Sequence, residues 1–326
     1  MSKNTLFIAS SPLQLLNCIE AIYYFNTKNN VLLLLHTKDE IVLSQMKQLL
    51  FFVNWKEVVY ILLPQKTIDK LLFAKRINSL LYKFPKDKIE QVFVGEYKSN
   101  HVNHIVNYFK NNKVCLVDDG LSLLGYDIYT QENRNKDKFV KLIYSFLFYK
   151  LNRIEYTFFT IFNIMQPSVI KNNYNFFKKY IEEKESKELV YFIGQPLVEL
   201  SMVNQEKYRY ELNKILNFYK HMEFIYILHR REKEEFIKQL SNELNFEYRR
   251  FENLIELEMI YSENIASDFA TFYSTAIMTL PHFFENSTYH AFKIEDSSFT
   301  DKDSHFLNLN NCYIEFSKNN IKVKEL

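Results

Sequence analysis

The chain has 326 residues, with 41 Lys+Arg against 39 Asp+Glu and 47% hydrophobic residues. That length fits one large or two medium domains with a substantial core, and the balanced charge gives no general case for nucleic acid as a partner. Only four glycines are present, Gly95, Gly120, Gly125 and Gly194, too few and too scattered for a P-loop or a dinucleotide fingerprint.

Strand and helix signals alternate from the start. Leu6-Phe7-Ile8-Ala9 reads as a strand, and Ser11-Pro12 as the N-cap and first position of a helix carrying Leu13, Leu16, Ile19 and Tyr23 on one stripe. Val31–Leu35 is an unbroken apolar run, the pattern of a strand buried on both faces. A helix over Ile41–Phe52, a strand over Val58–Leu63, a helix over Thr67–Tyr82, a strand over Gln91–Val94 and a helix over Asn100–Phe109 follow. Val114–Val117 then forms a buried strand that ends in Asp118-Asp119-Gly120. The series predicts a parallel Rossmann-like domain over 1–135.

The stretch from Lys136 to Tyr180 is rich in aromatics and lysine and broken at Pro167; it is expected to be a helical connection, 136–187 with its charged end Ile181–Lys187. Its aromatic and basic side chains suit a domain or subunit interface, hence a homodimer, or a peripheral contact with a membrane surface. A second α/β domain is expected over 188–326. Its strands are Leu189–Ile193, ending in Gly194-Gln195-Pro196; Phe224–Leu228, ending at His229; and Ile265–Phe269. Its helices are Glu206–Tyr219, Lys233–Leu244 and one opened by Ser274-Thr275, and Tyr313–Phe316 reads as a strand in the tail. The expected architecture is therefore α/β, two Rossmann-like domains facing a central cleft.

Polar groups stand at the ends of these elements, where open α/β sheets bind their ligands. They are Ser10-Ser11 and Asp118-Asp119 in the first half and His229 and Ser274-Thr275 in the second. A carboxylate and a histidine suit a base and an acid acting on opposite sides of a bond, and two hydroxyls at a helix start suit a phosphate. Taken singly, Asp-Asp-Gly is also an ordinary turn, His229 an ordinary strand end and Ser274-Thr275 an ordinary cap. No Gly-x-Ser-x-Gly elbow exists, and no cluster with metal-ligand spacing: Cys18, Cys115 and Cys312 are dispersed and fit a reducing cytoplasm.

Asp118-Asp119-Gly120, His229-Arg230 and Ser274-Thr275, in that order, resemble the acidic-acidic-Gly, His-Pro and Ser-Ser/Thr motifs of the bacterial sialyltransferases of glycosyltransferase family 52. Ser11-Pro12-Leu13-Gln14-Leu15-Leu16-Asn17 and Phe192-Ile193-Gly194-Gln195-Pro196-Leu197 also look like this family. The resemblance implies the GT-B fold and an inverting transfer of sialic acid from CMP-sialic acid to an oligosaccharide or glycolipid, such as a terminal galactoside of a capsule or lipooligosaccharide. It implies no metal and no cofactor besides that donor. By the same resemblance Asp118 or Asp119 is the base, with Asp118 favoured, and His229 stabilises or protonates the leaving phosphate. Ser274, Thr275, Glu252 (on the ribose), Arg230, Gly194 and Gln195 would bind the donor, and Ser10, Ser11 and Gln14 the acceptor. Arg230, followed by Arg231, stands where that family has proline. Two other readings are a GT-B transferase using another nucleotide sugar and a non-catalytic glycan- or nucleotide-binding protein.

Overall fold

The computed structural model describes residues 3–64, 67–126, 154–181, 184–295, 298–299 and 306–326. The chain divides into two compact units, Met1–Phe177 and Lys178–Leu326.

Unit 1 is built on seven parallel strands: β1 (Asn4–Ala9), β2 (Asn30–His36), β3 (Glu57–Leu62), β4 (Ile89–Val94), β5 (Lys113–Val117), β6 (Thr157–Thr160) and β7 (Val169–Lys171), in the spatial order β3-β2-β1-β4-β5-β6-β7. The helices α1 (Pro12–Tyr24), α2 (Glu40–Leu49), α3 (Thr67–Leu81) and α4 (Asn100–Tyr108) connect the first five strands. Leu6–Ala9, Val31–Leu35, Val92–Val94 and Val114–Val117 are all buried, which is why these strands read as apolar runs rather than as alternating ones. The Phe7 and Phe93 rings stack across β1 and β4 at 4.8 Å. Ser11 caps α1 by accepting the Gln14 N–H at 3.3 Å, Pro12 fills the first helical position, and Asp39 caps α2 on Val42 N–H at 3.1 Å.

Unit 2 repeats the scheme with β8 (Glu185–Ile193), α5 (Gln205–Phe218), β9 (Glu223–Ile227), α6 (Glu234–Leu244), β10 (Glu247–Arg249), α7 (Ile255–Tyr261), β11 (Asn264–Thr271), α8 (Ala276–Thr279), β12 (Thr288–Phe292), α9 (Phe306–Lys318) and β13 (Lys322–Lys324). Its six strands are parallel in the order β10-β9-β8-β11-β12-β13. Counted within each unit, both sheets follow the Rossmann order, third-second-first-fourth-fifth-sixth, with β7 added in unit 1. The protein thus has two Rossmann-like α/β units, the composition of the GT-B fold. The strand order reverses between β1 and β4 in unit 1 and between β8 and β11 in unit 2, so each unit has a switch point there.

Two expectations need correction. The connection over 136–187 is not simply helical. Residues 136–153 lie outside the described residues, and with them much of the expected basic aromatic face, but Thr157–Thr160 and Val169–Lys171 extend the first sheet. Thr-Phe-Phe-Thr is β-branched and aromatic, a composition that suits a pleated surface and outweighs the lysine-rich context. In the tail, Tyr313–Phe316 is helix rather than strand: Leu309, Cys312, Tyr313 and Phe316 are buried at helical spacing on α9. Among the described residues no helix is long and apolar enough to cross a membrane.

Candidate functional site

In unit 1 the polar groups gather where β1, β4 and β5 end. Ser10 follows β1, and its N–H and hydroxyl meet Gln14 Oε1 at 2.7 and 3.1 Å. The same hydroxyl lies 3.3 Å from Oε2 of Glu96, which follows β4. Gln14 is buried, and its side chain fills the space beside Gly95: a Cβ there would lie 2.4–2.6 Å from Gln14 Cβ, Cγ and Cδ. Gln14 is thus wedged between the ends of β1 and β4, while Ser11 is spent on capping α1.

The two aspartates after β5 have different surroundings. Asp118 is buried; Oδ1 accepts the Thr160 hydroxyl and Oδ2 the Ile161 N–H at 2.8 Å, which ties β5 to the end of β6. Its main-chain carbonyl accepts Asn17 Nδ2 at 3.2 Å, and Asn17 Oδ1 in turn accepts Asn172 Nδ2 at 2.9 Å. Burial pushes the Asp118 carboxyl up to about 7, against the pull of the Thr160 and Ile161 donors. Asp119 is only half-buried, and Gly120 at φ 64° turns the chain away beside it, a conformation that suits glycine. Glu96 is raised above the ordinary glutamate range first by burial and then by the Asp119 charge, so these two acids sense each other.

In unit 2 the groups follow β8, β9 and β11. Gly194 directly follows β8 with its N–H on Ile227 O at 2.9 Å, and Gln195 Oε1 accepts Tyr273 N–H at 2.7 Å, joining the end of β8 to that of β11. Thr271 donates to Ile193 O at 2.9 Å and accepts Ser274 N–H at 3.2 Å, while Ser274 Oγ accepts Ala276 N–H at 3.3 Å. Ser274 therefore serves as a cap, and Thr275 already has helical dihedrals. Glu252 is exposed on the segment between β10 and α7.

Beyond β9, residues 229–232 form a tight turn, with Glu232 N–H on His229 O at 2.9 Å. His229 Nδ1 accepts Arg231 N–H at 3.1 Å, which leaves the imidazole proton on Nε2. The Arg250 guanidinium donates to His229 O at 3.1 Å and Glu232 O at 3.0 Å. Burial first, and then the charges of Arg230, Arg231 and Arg250, lower the His229 pKa to about 4. His229 is therefore a neutral Nε2–H donor at neutral pH, beside three arginines, of which Arg250 also pairs with Glu234 at 4.0 Å. Among the described residues no three His, Cys, Asp or Glu side chains converge as a metal site would require.

Glu96, Glu232 and Arg250 were not picked out from the sequence. Glu96 carried a usable signal, since it directly follows Gly95 at a strand end as Asp118-Asp119 precede Gly120. Glu232 and Arg250 carried none, because charged residues beside helices and short strands are usually solvated.

No protein-family model matches the sequence, and no curated protein matches it. Solved structures do match. A protein from Listeria monocytogenes assigned as a UDP-N-acetylglucosamine 2-epimerase is 11% identical over 89% of this chain and 79% of its own, with a TM-score of 0.55. Staphylococcus aureus MnaA, solved with UDP, is 11% identical over 97% and 88%, with a TM-score of 0.50. A UDP-N-acetylglucosamine 2-epimerase from Rickettsia bellii is 12% identical over 83% and 74%, also with a TM-score of 0.50. At these identities the likeness is one of fold. It corrects the assignment to the family 52 sialyltransferases, because the neighbours are UDP-sugar proteins and not users of CMP-sialic acid. The physical reason is that Asp-Asp-Gly, His and Ser-Thr stand at the ends of parallel strands, and any pair of Rossmann units offers such positions in the same order. The chain has the two-Rossmann GT-B fold, shared with UDP-sugar enzymes.

Proposed function

We propose that the protein is a glycosyltransferase that uses a UDP-type nucleotide sugar and needs no bound metal. The observation that carries this reading is the cluster of arginines at the end of β9: Arg230 and Arg231 directly follow His229 in its turn, and Arg250, which also pairs with Glu234 at 4.0 Å, donates to the carbonyls of residues 229 and 232. A UDP-sugar brings two linked phosphates, and the leaving group gains charge as its glycosidic bond breaks. Arginines and an imidazole N–H can balance that charge, and in the transition state they matter most. The arginines after His229, which departed from the sialyltransferase pattern, are what a diphosphate calls for. The UDP held by the Staphylococcus aureus neighbour supports the same donor class.

In this reading unit 2 binds the donor. The main chain at Gly194 and Gln195 comes close to the nucleotide, His229 Nε2–H and Arg230 meet the diphosphate, and the Ser274 and Thr275 hydroxyls supply further donors. Glu252 is the candidate for the ribose hydroxyls. Unit 1 takes the acceptor, a hydroxyl of a glycan or glycolipid, with Ser10 among its contacts. Asp119 acts as the base: it takes the proton of that hydroxyl as the oxygen attacks the anomeric carbon, and UDP departs from the opposite face, with inversion. Asp119 is preferred to Asp118 because Asp118 is fully buried and serves to tie β5 to β6, whereas Asp119 is only half-buried and so within reach of an acceptor. The test is UDP release from UDP-GlcNAc and other UDP-sugars, with and without added glycans. Acceptor-dependent release supports the proposal, and no turnover of any UDP-sugar with the full glycan set refutes it.

A second reading, epimerisation of the UDP-sugar itself, is favoured by Glu96 standing near Asp119, since proton exchange beside the anomeric carbon needs both a base and an acid. Deuterium from D2O appearing at C2 of UDP-GlcNAc, without any acceptor, would establish it.

A further inference from the structure

We propose that Glu232 is a positioning residue that sets His229 for the diphosphate, by holding the main chain of the turn from which the imidazole projects. This rests on the reading above, in which His229 meets the diphosphate. Residue 232 grips His229 from both sides of its main chain. Glu232 Oε2 accepts the His229 N–H at 2.6 Å, and the Glu232 N–H donates to His229 O at 2.9 Å. The other oxygen, Oε1, accepts the Tyr226 hydroxyl, which meets the Tyr208 hydroxyl. Tyr208, Tyr226 and Glu232 are all buried.

The carboxylate has no room to move. At Gly194 a Cβ would lie 2.4 Å from both Glu232 Oε2 and Tyr226 OH, so the end of β8 closes directly over the pair. Arg250 bonds the carbonyls of both residue 229 and residue 232 and locks the turn from outside. Within the locked turn, Arg231 N–H on Nδ1 selects the Nε2–H tautomer of His229. The chain of control runs from Glu232 to the turn, from the turn to the imidazole, and from the imidazole to its ligand. Burying a carboxylate is costly, and its carboxyl is raised to about 7 by that burial. An apolar residue here would avoid the cost, but it could accept neither the His229 N–H nor the Tyr226 hydroxyl.

The test measures UDP affinity by calorimetry, with thermal unfolding alongside, for wild type, Glu232→Gln, Glu232→Ala, His229→Ala and the double variant Glu232→Ala/His229→Ala. Glu232→Ala is expected to weaken UDP binding about tenfold or more. Glu232→Gln, whose amide oxygen still accepts the His229 N–H and whose NH2 can face the Tyr226 oxygen, is expected to stay within about threefold. Because Glu232 acts through His229, adding Glu232→Ala to His229→Ala should weaken binding by less than about twofold further. A merely structural role would lower the unfolding temperature and would add in full to the His229 variant; that result overturns the proposal. Wild-type affinity in Glu232→Ala, with His229→Ala weakened, also overturns it while leaving the diphosphate reading intact. Unchanged affinity in His229→Ala refutes that reading itself, and the proposal falls with it. If Glu232→Ala does not fold, Glu232→Asp replaces it; its carboxylate is withdrawn by one methylene, and the same pattern is expected.

Discussion

Replacing Asp118 with Asn separates a structural acid from a reacting one. Asp118 has an ordinary value of 3.8, is pushed by burial to about 7 in the folded protein, and has both oxygens occupied. Below about pH 4 its carboxyl is protonated in the folded and unfolded chain alike. Between about 4 and 7 only the unfolded chain gives up the proton, so the folded state loses stability as pH rises; above that range both forms are charged and the loss is complete. For this one group the loss between about pH 5 and pH 7.5 is on the order of 2–3 kcal/mol. An Asn can keep both contacts, its oxygen accepting Ile161 N–H and its NH2 facing the Thr160 oxygen, and it does not titrate. The stability difference between wild type and Asp118→Asn should therefore shift by that amount in favour of the variant as pH rises. The comparison matters because other buried acids also titrate in wild type. Trp55, the single tryptophan, packs edge-on against Phe7 in unit 1, so denaturant unfolding followed by its fluorescence reports the right unit. Parallel pH dependences of the two proteins, or near-normal stability of the variant with its turnover lost, would refute the reasoning and return the base role to Asp118.

Three further outcomes follow from the same geometry. Asp119→Asn should lower kcat by about a hundredfold or more, the scale of a general base, with UDP affinity and stability unchanged; a near-normal rate makes the acidic pair a turn and nothing more. Gly194→Ala should destabilise unit 2 by about 2–4 kcal/mol, because the added Cβ must displace Glu232 or Tyr226 from a filled site, and a wild-type unfolding temperature would show that the contact relaxes freely. Turnover should survive excess EDTA, since arginines balance the diphosphate charge; loss of activity restored by magnesium or manganese would contradict that role.

The fold was legible because parallel sheets bury their strands on both faces. Leu6–Ala9, Val31–Leu35 and Val114–Val117 stand out as apolar runs, and Ser11-Pro12 marks a helix start without ambiguity. The short edge strands were not legible: Glu247–Arg249 and Lys322–Lys324 are mostly polar, because an edge strand needs little apolar side chain to pair. Tyr313–Phe316 misled through its aromatics, which belong to a helical stripe that begins before the segment considered. The site was legible by position and not by role. Asp118, Asp119, His229 and Ser274 do stand at strand ends, but the sequence could not tell which of them turn inward. Asp118 faces Thr160 and Ile161, residues more than forty positions away, which no local pattern reveals. Glu232 was invisible too: its hydrogen-bond partners Tyr226 and His229 are close in sequence, but the burial that makes them matter comes from Tyr208 and Gly194 on other elements. The family resemblance misled because the order of short motifs follows from the order of strands, which many nucleotide-sugar proteins share.

The most direct test of the account is a crystal structure of the protein with UDP at saturating concentration. UDP is expected at the carboxyl ends of β8, β9 and β11, with its diphosphate within hydrogen-bond distance of His229 Nε2 and the Arg230 guanidinium. UDP bound elsewhere, or no UDP bound where CMP binds under the same conditions, would contradict it.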